Sequence, residues 1–116
     1  MAQKKVRFAT IGINHGHIYG QTELMLRAGA ELVSLYAPEA DLRGNYVKQF
    51  PDVKVAASEV EILEDESIDM VISAAANADR APLGIRVMRH GKDFMSDKPG
   101  ITSLSMLEKV RKAWIA

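Results

Sequence analysis

Residues Val6 to Gly20 read VRFATIGINHGHIYG, and the fold turns on how this stretch is read. The apolar run from Val6 to Ile13 suits a buried strand, Gly12 offers a sharp exit from it, and Ile18 to Ala28 carries a helical pattern. A strand, a glycine turn and a helix in that order present free helix-terminal N–H groups where the phosphates of a dinucleotide would sit. The fingerprint G-x-G-x-x-G asks for glycine three times: for the tight departure from the strand, for close approach of phosphate, and for close helix packing. Gly12 meets the first demand, whereas Asn14 and His17 stand at the other two positions. Asparagine is the milder change, because it enters positive φ more readily than most residues and its amide can donate to phosphate. His17 is harder to house at a packing position, with Gly16 and Gly20 available to let the turn shift. A plain βα loop whose glycines serve only the turn fits the same letters, so this stretch by itself leaves nucleotide binding open.

The rest of the chain repeats the rhythm. Glu31 to Ala37 is a second strand ended by Pro38, and residues 39–50 read as a helix weakened by Gly44. A short strand at Val53 to Ala57 and a short helix at Val60 to Glu64 follow. The apolar run Asp69 to Ala74 suits a strand covered on both faces. Asn77 to His90 is helical, stopped at Gly91, and Lys92 to Ser96 makes a fifth strand. The last helix begins near Ser103, with Ser105 and Glu108 spaced as a capping box if Ser105 is the cap, and Leu104, Leu107, Val110 and Trp114 as its apolar stripe. Such alternation implies right-handed βαβ crossovers: an α/β, doubly wound parallel sheet of about five strands with helices on both faces. The ligand crevice of such a sheet lies beyond the carboxyl ends of the strands, so the turns of interest are Gly12 to His17, Ala37 to Asp41, Ala74 to Asn77 and Ser96 to Gly100.

Composition narrows the function. The 116 residues make one domain, and 15 basic against 15 acidic residues give no charge excess that would point to nucleic acid or an acidic membrane. No cysteine is present, which removes disulfides, thiolate metal sites and cysteine nucleophiles together. No apolar run approaches the roughly 18 residues of a membrane helix, and no signal peptide is evident, so the expected location is cytoplasmic. His15 and His17 form an H-x-H pair of the kind that holds a divalent metal in some barrel hydrolases. Two imidazoles are half of a zinc site, no carboxylate cluster completes it, and no metal is expected.

Together, IGINHGH, SDKPG and the αβ rhythm between them resemble the N-terminal domain of the glucose-fructose oxidoreductase, inositol dehydrogenase and MocA family of nicotinamide-dependent oxidoreductases. The stretch AAANADRAPLGIRVMRHGKDFMSDKPG is similar to the family's turn after the fourth strand, its A-x-x-x-G-K-x-V run and its E-K-P signature. Ala75, Ala76 and Asn77 stand at that turn, and Asp97, Lys98 and Pro99 at the signature, with Asp for Glu preserving the charge. The resemblance implies an NAD or NADP site built from Gly12, Ile13, Asn14, His15, Gly16, His17, Ala75, Asn77, Asp97, Lys98 and Pro99. It implies that Lys98 is the catalytic residue, lying beside nicotinamide and substrate to orient them or assist proton transfer, and that Pro99 holds the turn that aims it.

Other positions depart from the family. The acid that should bind the adenosine ribose falls on Ala37, which leaves Glu39 or Asp41 to supply it, or a pocket that accepts a 2′-phosphate; NAD against NADP stays open. Arg80 replaces a histidine common three residues after the turn asparagine. The family's second α/β domain, which builds the substrate pocket and the oligomer interface, has no counterpart in these residues. The expectation is therefore a dinucleotide-binding fragment, 1–116, of a two-domain oxidoreductase that moves hydride to or from the carbinol carbon of a sugar, polyol or related substrate. Alone it is incomplete for catalysis, and its uncovered edge and apolar surface favour a homo-oligomer. The alternative is a non-catalytic binding or regulatory module with weakened or lost nucleotide binding.

Overall fold

Val6 to Gly20 folds as strand, turn and helix, and the same alternation continues through the computed structural model, which describes residues 5–96 and 104–115. The strands are β1 (Arg7–Ile11), β2 (Glu31–Tyr36), β3 (Lys54–Val55), β4 (Met70–Ser73) and β5 (Asp93–Ser96). The helices are α1 (His17–Arg27), α2 (Ala40–Gln49), α3 (Glu59–Leu63), α4 (Asn77–Arg89) and α5 (Leu104–Ile115). All pairings are parallel and the strand order is β3-β2-β1-β4-β5, so the chain winds outward from β1 in one direction and then resumes from β1's other side with β4. The order reverses between β1 and β4, which makes the carboxyl ends of those two strands the switch point.

The central strand explains why both faces carry helices. Phe8, Ala9, Thr10 and Ile11 are all buried, and alternate side chains enter opposite cores. Phe8 packs with Ile18, Leu35, Tyr46 and Ile72 under α1 and α2. Ala9 and Ile11 pack with Ile62, Leu63, Val71, Leu83 and Val87 under α3 and α4. α5 packs against α4. In the first core the Tyr46 hydroxyl lies 2.9 Å from Thr10 Oγ1 and 2.8 Å from Thr22 Oγ1, while Thr22 donates to the Ile18 carbonyl. That last bond sets the direction of the chain: Tyr46 donates to Thr22 and accepts from Thr10. Burial pushes the Tyr46 phenol above its usual pKa, which keeps it a donor.

Two local expectations change. α5 begins at Leu104, so Ser105 lies inside the helix and cannot be its cap, and Leu107 is 40% exposed. A cap of that spacing occurs at α3 instead, where Ser58 Oγ accepts from the Glu61 N–H and Glu61 Oε2 accepts from the N–H of Ala57, the residue before the cap. The third strand shrinks to two edge residues, although Val53 and Ala56 on either side of it are buried. No helix among the described residues is long and apolar enough to cross a membrane.

Candidate dinucleotide site

The first and fourth strands continue into loops that are bonded to each other. Ala74 N–H donates to the Gly12 carbonyl and His15 N–H to the Ala74 carbonyl, both at 2.9 Å. Gly12 has φ +82°, and a Cβ placed there would sit 2.6 Å from the Cβ of Ala75. Glycine is therefore dictated here by the contact between two loops as well as by backbone conformation, before any phosphate is considered. Behind the second loop, Arg80 is almost fully buried and its Nε donates to the Ala75 carbonyl at 2.8 Å, which ties the turn to the start of α4.

The turn's remaining residues differ in what they offer. Ile13 is buried in the core, so only its main chain faces the site. Asn14, His15, Gly16 and His17 are exposed. No non-glycine residue among those described has positive φ, so Asn14 replaces glycine without the backbone conformation that seemed to favour asparagine. His17 is not at a packing position either. Ile18 fills the buried place, while His17 begins α1 with its ring 4.1 Å from that of His15 and its N–H donating to His15 Nδ1. The main-chain N–H groups of Ile13, Asn14 and Gly16 have no partner among the described residues. Gly16 has nothing within 4 Å of where a Cβ would lie, so this loop surface is open to an anion. Among the described residues no third His, Asp or Glu joins His15 and His17 in a group that could hold a metal ion.

Beside this loop lies a cleft of about 190 Å³, smaller than the roughly 300–1,000 Å³ of a complete ligand pocket and so suited to one part of an extended ligand. Gly12, Asn14, Pro38, Glu39 and Ala75 from three strand ends line it, with Glu59 from α3 and Asp79, Leu83 and Arg86 from α4. Three of the four turns singled out from the sequence thus converge. The fourth follows β5, and Asp97, Lys98, Pro99 and Gly100 lie outside the described residues. Asn77 opens α4, with its backbone at the switch point. Larger hollows of about 480 Å³ between α4 and α5 and about 530 Å³ near Lys5 and Phe50 lie away from these loops.

The cleft is acidic. Arg86 holds Glu59 through Nε at 2.8 Å and Nη2 at 2.9 Å, and hydrogen bonding to that carboxylate raises the Arg86 pKa further. Glu39 Oε2 accepts from Asn14 Nδ2 at 3.2 Å. Ala37, where the family's ribose acid would fall, is buried in the core, and Asp41 is exposed outside the lining. The lining contributed by α4 was missed from sequence, although Asp79, Leu83 and Arg86 have the i, i+4, i+7 spacing of one helix face.

A doubly wound sheet with an open helix N-terminus and an acidic cleft at its switch point defines a dinucleotide-binding domain. The chain belongs to the Gfo/Idh/MocA family, whose profile, described as an oxidoreductase family with an NAD-binding Rossmann fold, matches residues 6–114. It is that family's NAD-binding domain. Among solved structures, a protein from Erwinia carotovora atroseptica described as an oxidoreductase has 39% identity and a TM-score of 0.91 over 94% of this chain and 33% of its own. The WlbA dehydrogenase of Chromobacterium violaceum, solved with NADH and UDP-GlcNAcA, has 20% identity and a TM-score of 0.84 over 97% of this chain and 33% of its own. Biliverdin reductase from Synechocystis, solved with biliverdin and NADP+, has 19% identity and a TM-score of 0.77, covering 95% and 34% of the two chains. These last two likenesses are of fold. The chain spans about a third of the length of the structures it matches. No curated protein sequence matches it.

Proposed function

We propose that this chain holds NAD(P) for hydride transfer to or from a small substrate, with the pyrophosphate on the Asn14 to His17 turn and the adenosine ribose in the acidic cleft. The observation that carries the reading is the set of N–H groups of Ile13, Asn14 and Gly16, without a partner among the described residues, at the opening of α1 and directly beside that cleft. The bound nicotinamide supplies the hydride chemistry. The chain's own residues bind and orient: Gly12 and Ala75 bring the two loops into contact, and Arg80 fixes the second loop. His15 and His17 flank the anion-facing surface. From the family resemblance, Lys98 would stand next to the nicotinamide, with Asp97 and Pro99 shaping its turn. A carbinol-bearing substrate such as a sugar or polyol, and the groups that recognise it, belong to this proposal for the whole protein. The binding-module alternative draws on the glycines replaced by Asn14 and His17 and on the missing ribose acid. His17 faces solvent, and Glu39 lines the cleft.

Gly16→Asp tests the reading with two readouts of opposite sign. Nothing crowds a side chain there, and a carboxylate at the amino end of α1 favours the helix dipole, so the melting temperature holds or rises. The same carboxylate faces a doubly charged pyrophosphate and should weaken NADH and NADPH by roughly tenfold or more in calorimetric titration. Wild-type affinity for both cofactors in this variant would remove the turn from the binding site.

A further inference from the structure

The first turn of α1 keeps its own main-chain donors from an incoming anion. Ile18 N–H donates to the His15 carbonyl and Tyr19 N–H to the Gly16 carbonyl, both at 3.2 Å. The His17 N–H is taken by a side chain, His15 Nδ1, also at 3.2 Å. Three donors of the helix terminus are therefore satisfied inside the protein, and what the turn adds to its Ile13, Asn14 and Gly16 N–H groups has to come from side chains. His15 and His17 are both exposed there, with ring centroids 4.1 Å apart and planes tilted by 50°. An Nδ1 that accepts an N–H carries no proton, so the His15 ring is neutral with its hydrogen on Nε2. Charging His15 would eject the His17 N–H from its acceptor, and charging both rings would set like charges in contact. A single proton on the pair thus belongs on His17. The dipole of α1 opposes a cation at its amino end, and an anion bound at that end reverses the balance.

The charges on the neighbouring elements make that proton valuable to the ligand. At the start of α2, Glu39 accepts from Asn14 Nδ2, and Glu59 of α3 and Asp79 of α4 line the adjoining cleft. Arg86 in that cleft is held by Glu59 through two hydrogen bonds. Arg43 of α2 donates to the Ala37 carbonyl, and Arg80 of α4 is buried behind the second loop with its Nε on the Ala75 carbonyl. Further along α1, Glu23 accepts from Gln49, while the loop after β4 offers the Ala74 carbonyl to the His15 N–H. Asp97 and Lys98, after β5, lie outside the described residues. A dianionic pyrophosphate entering these acidic surroundings gains most from a cation that arrives with it. We propose that His17 is the charge-carrying ligand of the pyrophosphate, taking a proton from solvent as the dinucleotide binds, and that His15 is a positioning residue that holds the His17 main chain and keeps its own ring neutral. The inference rests on the nucleotide-binding reading above.

Titrating the protein with NADH between about pH 6 and pH 8 reads the linked proton, because the pyrophosphate diester stays dianionic over that range. Binding favours the protonated ring, so raising the pH removes the form that binds better. Affinity should fall by roughly fivefold or more from the lower to the higher pH. Calorimetry in buffers of different ionisation enthalpy should count a net uptake of roughly half a proton per NADH near neutral pH. His17→Gln should weaken NADH more at the lower pH than at the higher and abolish the uptake, whereas loss of a merely structural side chain would weaken binding alike at both. His15→Asn, whose side-chain oxygen can still accept the His17 N–H, should keep both the pH dependence and the uptake. Affinity independent of pH, uptake that survives His17→Gln, or uptake lost in His15→Asn would overturn the proposal and leave cofactor binding standing. Failure of the wild type to bind NADH at any pH would overturn it along with the functional reading itself.

Discussion

Replacing Gly12 with alanine should cost about 2–5 kcal/mol of stability, the sum of a left-handed backbone penalty and an over-packed contact. Gly12 sits at φ +82°, and the new Cβ would lie 2.6 Å from Ala75 Cβ, 3.0 Å from Ser73 Oγ and 3.2 Å from Ala75 Cα. None of these can move freely. Ala75 and Ser73 are buried, and the Ala74 N–H between them is bonded to the Gly12 carbonyl. On a domain of this size the loss should lower the melting temperature by roughly 10 °C or more. The two causes separate in a double mutant. Gly12→Ala with Ala75→Gly removes the closest contact and keeps the backbone penalty, so it should recover about 1–2 kcal/mol relative to the sum of the single changes. An unchanged melting temperature in Gly12→Ala would mean that the two loops do not meet as described.

Arg80→Ala should destabilise by about 2–4 kcal/mol, because it removes a buried charged donor and leaves the volume of a long side chain behind. Arg80 is the largest side chain among the fully buried ones, and its Nε reaches the Ala75 carbonyl across the first turn of α4. The same substitution should weaken NADH binding at temperatures where the variant is still folded, since the Ala75 turn forms one wall of the cleft. Arg80→Lys keeps charge and much of the length, but a point charge cannot reproduce the planar Nε donor, and it should recover less than half of the lost stability. Denaturant unfolding measures the first effect and calorimetry the second. A variant as stable as the wild type would make Arg80 a bystander.

The fold was legible because it rests on patterns with a physical period. Apolar runs bounded by Gly29, Pro38 and Gly91 located the elements to within a few residues, and a strand covered on both faces, Met70–Ser73, announced itself as an uninterrupted apolar run. The parallel, doubly wound arrangement followed from the crossover rule, and with it the placing of the crevice beyond the carboxyl ends of the strands. Less legible was which loop residue turns inward. His17 and Ile18 are neighbours, and the phase of one helix decides which is buried; the sequence pattern fixed that phase only to within a residue. The capping box was misplaced for a similar reason: Ser58 and Glu61 have the same spacing as Ser105 and Glu108, and only the first pair falls at a helix start.

Within the candidate site, the glycine turn and the Ala75 to Asn77 turn could be read because backbone demands restrict the residue type. Arg80 was visible as a departure from a family pattern and Glu39 as a candidate for the acid missing at Ala37, but the bond made by Glu39 was not, since it depends on a partner distant in sequence. Asn14 and Glu39 are 25 residues apart. Glu59 and Arg86 are 27 residues apart, and nothing local in either helix marks them as a pair.

The central claim is that a nicotinamide dinucleotide lies across the ends of β1, β2 and β4. Backbone amide chemical shifts of ¹⁵N-labelled protein titrated with NADH test it residue by residue. The account expects saturable shifts concentrated at Gly12 to His17, Glu39 and Ala75 to Asp79, with little change at Lys109 and Lys112 in α5 or at Phe50 and Asp52 beside the opposite hollow. Absence of saturable shifts, or shifts centred on the α4 and α5 hollow, would contradict it.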